Sequence, residues 1–358
     1  MSDDLFSRLF ELFNQPGEVN LKLAAEVAHH LAGDHEPVDP WAAEEFRELT
    51  RLAEFRMAEA APFPVDPATD VLPVDGREWA DRNLEGFRYV AEPFAKMMDL
   101  GDAGPAAEML RPLGPAMVGM QIGTMVGSLS QWAMASCDAG VPIDGPVTFV
   151  VPTIEGFASR HDLDPKSVRL WVALNEVAHR AIYRVPFTKE HLVGLIGSYA
   201  ETLSMAPQNL MEMMQGVDPT DPQSGLDPEK LASMFDTPET RSAQAELQAF
   251  LGLVAGYRQA LTRRAADQLL PDIERLDEFR DLERDLDDQA EASAFAPIFT
   301  SAQSIAAGHR FCEEVERRFG LEALDSIFTQ DGRFPTAAEI EDPVAWAARV
   351  LLSDIDPT

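Results

Sequence analysis

The sequence predicts a mainly α-helical protein with a small β element next to its central helix. Three observations carry this. Apolar residues recur at three- and four-residue spacing along most of the chain, the period of a helix with one buried face. The best strand candidate is Val147-Thr-Phe-Val-Val151, a β-branched and aromatic run bounded by Pro146 and Pro152. Between Asp164-Pro165 and Pro186 lies a long amphipathic segment, Ser167 to Tyr183. Its Leu170, Ala173, Leu174, Val177, Ala178 and Ala181 form one apolar face.

The chain has 358 residues and 46% hydrophobic content, enough to bury a large core. Its 29 basic and 61 acidic residues give a formal charge of -32. That field repels nucleic acid and anionic membrane surfaces and favours solubility, so neither is expected as a partner. Two cysteines, Cys137 and Cys312, are too few for a disulfide framework. The opening Met-Ser-Asp-Asp lacks the basic and apolar regions of a signal peptide. No stretch reaches the ~18–20 uninterrupted apolar residues of a bilayer span. The expected location is the cytoplasm, with reduced thiols.

Residues 1–17 are expected to form an N-terminal amphipathic helix, broken by Gln15-Pro-Gly17. Its stripe of Phe6, Leu9, Phe10 and Phe13 docks on the chain's own core or on a second copy, making a homo-oligomer through residues 3–14. Residues 18–352 are expected to form one domain. Helices with Pro-rich interruptions fill 18–61, where the adjacent His29 and His30, and His35, read as surface residues. Residues 62–76 read as irregular. A helix then opens near Val74, with Trp79, Asn83 and Phe87 on one side for core packing and a helix-to-helix hydrogen bond from Asn83. Gly119, Gly123 and Gly127 repeat every four residues, flattening one face of a buried central helix. Asp138 to Pro146 reads as a loop. After Pro186, Thr188 is expected to N-cap the next helix. Residues 215–240, rich in Pro, Gly and Asp, read as a surface loop or linker. A long helix follows over 241–268, a charged stretch over 273–290, and a helix from Gln303 to Phe319. Phe334-Pro-Thr336 caps a short helix at Ala337–Ile340, and Pro343 begins the last.

The chemistry sits in the central segment as Asn175-Glu176-x-x-His179. With His at the first position this would be H-E-x-x-H, which sets two imidazoles at i and i+4 and a Glu that polarises zinc-bound water. Here the first imidazole is absent. Glu176 without metal needs another partner, with Arg180 and His179 in reach along the helix, and burial would favour its neutral form. Serine, cysteine and phosphate chemistry lack their motifs.

The order and spacing of several stretches resemble the zincin-like metallopeptidase type 2 family, regarded as zinc-dependent hydrolases. These are Glu18 to Ala28, Val74 to Phe87, the glycine helix, Val151-Pro152 with Trp171 to His179, and Phe334 onward with Trp346. The resemblance runs from about residue 18 to about 352 and implies a zincin-like helical domain. Members with an intact site carry H-E-x-x-H and a downstream L-x-E-G-H whose Glu is a ligand candidate. Here that stretch is Leu253-Val-Ala255-Gly256-Tyr257. The resemblance thus implies a site remnant of Asn175, His179, His191, Ala255 and Tyr257 around Glu176, the general-base position. Zinc takes three protein ligands and keeps one position for water. With ligands lost at two of three positions, most of the ~10–16 kcal/mol typical of structural zinc sites goes too.

The expectation is therefore a family member with no cofactor and no catalysis, acting on a protein or peptide partner in the old cleft. The alternative is an active zinc-dependent hydrolase with a substituted ligand set drawn from His191, Glu155 or Glu201.

Overall fold

Capping side chains start many of the helices in the computed structural model, which describes residues 17–33, 37–97, 113–203, 236–287, 296–298 and 301–352. Asn20 accepts the Leu23 N–H at 3.0 Å and starts α1 (Leu21–Ala32). Then come α2 (Trp41–Ala60), β1 (Val71–Val74), α3 (Gly76–Asn83), α4 (Arg88–Met97), α5 (Leu113–Trp132), β2 (Val147–Val150), α6 (Val151–Arg160) and α7 (Pro165–Arg184). Following these are α8 (Pro186–Thr202), α9 (Pro238–Ala265), α10 (Ile273–Asp287), α11 (Ala302–Phe319), α12 (Leu321–Thr329), α13 (Ala337–Glu341) and α14 (Pro343–Val350). Among the described residues no helix is long and apolar enough to cross a membrane.

The fold is mainly α-helical, as predicted, with β1 and β2 paired in parallel from Val71↔Val147 to Val74↔Val150. β1 falls in the stretch that reads as irregular, because Pro73 sits within it. In a two-stranded sheet every strand is an edge, and an edge tolerates a residue without an N–H. β2 leads into α6, which the sequence does not signal, and it also anchors the segment before it. Val150 donates to the Met134 carbonyl at 2.8 Å, and Ala135 bridges to Phe149. Residues 133–146 are thereby laid across α7 as a loop containing one 3-10 turn, Ser136–Ala139.

α7 begins with Asp164 accepting the Ser167 N–H at 3.0 Å and Pro165 in the first turn. All six residues of its predicted apolar face are buried, together with Trp171, Glu176, His179 and Tyr183 from other faces. The helix is thus enclosed on nearly every side by the core, which runs from Ala24 to Val350.

Four expectations need correction. Thr188 does not cap α8, because Pro186 is itself the first residue of that helix and Thr188 lies buried within it. Asn83 packs with Trp79 and Phe87, but it donates to the Trp79 carbonyl of its own helix and to Thr148 on β2, at 2.8 and 3.2 Å, not to another helix. α5 packs its glycine face on α1, yet Met117 and Met120 on its other side are exposed, so it is not a buried central helix. The linker reading ends early, since Thr237 caps α9 and Pro238 begins it. Residues 3–14, His35 and 215–235 lie outside the described residues.

Glycines bring α9 and α11 into backbone contact. A Cβ on Gly308 would lie 1.8 Å from the Gly252 carbonyl oxygen, and one on Gly256 would lie 2.5 Å from the Gly308 carbonyl carbon. The glycine of the Leu253–Tyr257 stretch therefore lets two backbones touch, whatever chemistry its neighbours carry. Gly308→Ala should destabilise the protein by about 3 kcal/mol in denaturant unfolding. Gly194→Ala, in open space on α8, should stabilise it by about 0.5–1 kcal/mol.

Candidate functional site

The site forms where α7 and α9 face the 133–146 loop, whose backbone polar groups are taken up by side chains of those helices. The Cys137 N–H donates to Glu176 Oε2 at 2.7 Å, and the Cys137 carbonyl accepts from Arg258 Nη1 at 2.9 Å. The Gly140, Val141 and Gly145 carbonyls accept from Tyr183 Oη at 3.1 Å, His179 Nε2 at 3.3 Å and Arg180 Nη1 at 3.3 Å. The contact with α7 and α9 is made by the loop's main chain, while its Ser136 and Asp138 side chains bind Thr148 and Arg280.

Glu176 is fully buried, and its partner is the Cys137 N–H rather than Arg180 or His179. Arg180 acts on it only through its charge. Burial pushes the Glu176 carboxyl above the usual carboxylate range, against the opposing pull of Arg180 and the Cys137 bond. A carbonyl only accepts, so His179 Nε2 carries the ring proton and Nδ1 is a bare acceptor, with no hydrogen-bond partner among the described residues. Burial, reinforced by the Arg258 guanidinium, drives the His179 pKa down to about 3.

A cavity of about 30 Å3 lies beside these groups, between α7, α9, α10 and α11. Asn175, Ala255 and Arg258 line it with Cys137, Asp138 and His309. The structure thus brings together Asn175 and Ala255, the first and third of the ligand positions implied by the resemblance. Glu176 and His179 are not on its wall. Asn175 turns its amide to the Trp171 carbonyl at 3.1 Å. Tyr257 points elsewhere: its hydroxyl donates to Asp325 at 2.8 Å and its ring stacks on Phe328. His191 packs against Phe250 and Phe334, with ring centroids 4.9 and 4.8 Å away. Glu155 is bound to Arg169 through two bonds of 2.7 Å, and Glu201 is exposed on α8.

The sequence reading misses Arg258. It is 8% exposed, sits in no ion pair among the described residues, and has a buried Nε without a partner. It was legible as the charge that ends the apolar run Phe250–Tyr257, one turn beyond Ala255 on the same face. The reading also misses that the charged α10 buries two of its charges at this cavity. Asp277 accepts from Trp171 Nε1 at 2.9 Å and Arg263 at 3.0 Å, and Arg280 pairs with Asp138 at 3.0 Å.

The zincin-like metallopeptidase family profile matches residues 19–347, and the chain belongs to that family. No curated relative matches it. Among solved structures it is similar to a protein of Chloroflexus aurantiacus described as a "putative hydrolase with a novel fold". That likeness has a TM-score of 0.68 at 19% identity and covers 95% of this chain and 100% of the other, and it concerns the fold.

The described residues at this site do not fit the donor set of a catalytic zinc. Asn175 offers a neutral amide, Ala255 a methyl, and a fixed guanidinium stands next to His179. Among the described residues no three His, Cys, Asp or Glu side chains gather to hold a metal ion.

A histidine held neutral in the fold lends stability above its unfolded pKa, near 6.5, and that stability is lost as pH falls toward its folded value of about 3. His179→Phe should therefore flatten the fall of unfolding free energy between about pH 6 and pH 4, by up to ~1.4 kcal/mol per pH unit. Parallel slopes for the two proteins would contradict the burial of a neutral His179.

Proposed function

We propose that this zincin-like metallopeptidase family member works without zinc and without hydrolysis, by binding a protein or peptide segment in the cleft between α7, α9 and α11. One observation carries this. Where the family's zinc ligands would converge, Asn175 and Ala255 converge instead, with the buried Arg258 cation on the same wall. A fixed positive charge opposes a divalent cation at the same place. Glu176 supports the same conclusion. A general base must reach a water, whereas Glu176 is buried off the cavity wall and engaged by the Cys137 N–H.

The test is zinc per chain by elemental analysis, on protein purified without chelators or a histidine tag. The natural chain should hold less than about a tenth of a zinc, and the Asn175→His, Ala255→Glu double variant should gain metal. A natural chain with close to one zinc would overturn this reading and favour the alternative of a zinc-dependent hydrolase with a substituted ligand set.

A further inference from the structure

Arg258 lines the small cavity as a guanidinium with five N–H donors, of which Nη1 is used on the Cys137 carbonyl. Of the other charges on the wall, Arg280 is paired with Asp138 and Asp277 with Arg263, and Asp281 lines the cavity as well. Arg258 is matched by none among the described residues, and its Nε is buried without an acceptor. An ionised guanidinium withdrawn from water is costly unless an anion or several acceptors meet it. Its planar fork fits a carboxylate best, through two parallel hydrogen bonds. The cavity of about 30 Å3 holds roughly two or three water-sized atoms, enough for the two oxygens of such a group.

This cavity adjoins a larger space, with two lining residues in common. Gln259 and His309 line both it and an open groove of about 470 Å3 along α9 and α11. That volume is in the range that receives small organic ligands and short peptide segments. Asp267, Glu313 and Glu316 are exposed on the groove; Arg263 and Arg264 also line it but are engaged, Arg263 by Asp277 and Glu313 and Arg264 by Asp325, which leaves the acidic excess to Asp267 and Glu316. With the chain's formal charge of -32, this excess disfavours a free anion and favours a ligand whose body is cationic.

We propose that Arg258 binds a carboxylate, and that the carboxylate is the free C-terminus of a basic peptide whose body lies in the groove. The proposal rests on the cleft-binding function above and specifies the chemistry of its partner. Arg258 supplies the bidentate contact, and the groove's acidic excess faces the peptide's Lys or Arg side chains.

The experiment uses the full chain and a degenerate N-acetylated pentapeptide mixture with Lys fixed at its centre. The mixture is made as the free acid and as the amide, with sodium acetate as a third probe. The readout is the rise in Tm. The free acid should raise it, and the amide should need about ten times the concentration for an equal rise. Arg258→Gln should erase that difference, and Arg258→Lys should retain part of it. If Arg258→Gln does not fold, the acid-against-amide comparison on the natural chain decides alone. Equal effects of acid and amide would overturn the carboxylate proposal and leave the peptide function standing. An acetate effect that depends on Arg258, with no effect of either peptide, would keep the carboxylate site and overturn its peptide source. No effect from any probe would overturn both.

Discussion

The main chain of Cys137 is gripped from two sides, its N–H by Glu176 of α7 and its carbonyl by Arg258 of α9. Both side chains are buried, so neither bond is weakened by competition with water. This clasp joins the two helices that carry the candidate site to the loop that covers it. β2 holds the preceding residues through Met134 and Ala135, and Tyr183, His179 and Arg180 fasten the rest. Releasing Glu176 or Arg258 would strand a buried partner on Cys137, at about 1–3 kcal/mol for each group left unmade.

The clasp changes what Glu176 can do. In an H-E-x-x-H helix the glutamate faces a metal-bound water. Here it faces a backbone amide, and burial holds it toward the neutral form. His179 is likewise turned to a carbonyl and kept neutral. Chemistry-bearing residues of the family motif thus remain in the sequence while serving as internal fasteners. The cavity's positive charge without an ion-pair partner among the described residues is Arg258, a side chain covalently part of α9, and so it is always present.

Much of the fold was legible because helices announce themselves. The apolar period of α7, its Asp164-Pro165 start and the Thr336 cap of α13 all appear where the spacing places them. Three features were not legible, each for a physical reason. β1 was hidden by Pro73, which edge pairing tolerates. Thr188 resembles a cap but is preceded by Pro186, which is better suited to a first helical turn. The loop meets α7 and α9 through backbone groups, which every residue carries, so its sequence gives no sign of that contact. Within the site, Asn175 and Ala255 do meet at one cavity, yet Tyr257 and His191 belong to separate aromatic clusters. Spacing along one helix fixes which face a residue occupies, not which neighbouring helix meets it.

His179 is a neutral ring bound to the Val141 carbonyl near the Arg258 cation, and we propose that it ligates no metal. Nitrogen NMR of selectively histidine-labelled protein tests this at the atom concerned, since only seven histidines contribute signals. The protonated Nε2 and bare Nδ1 of His179 should give one neutral tautomer, unchanged when equimolar zinc is added. A zinc-induced shift of the His179 Nδ1 resonance that disappears in the His179→Phe variant would place metal at this ring and contradict the account.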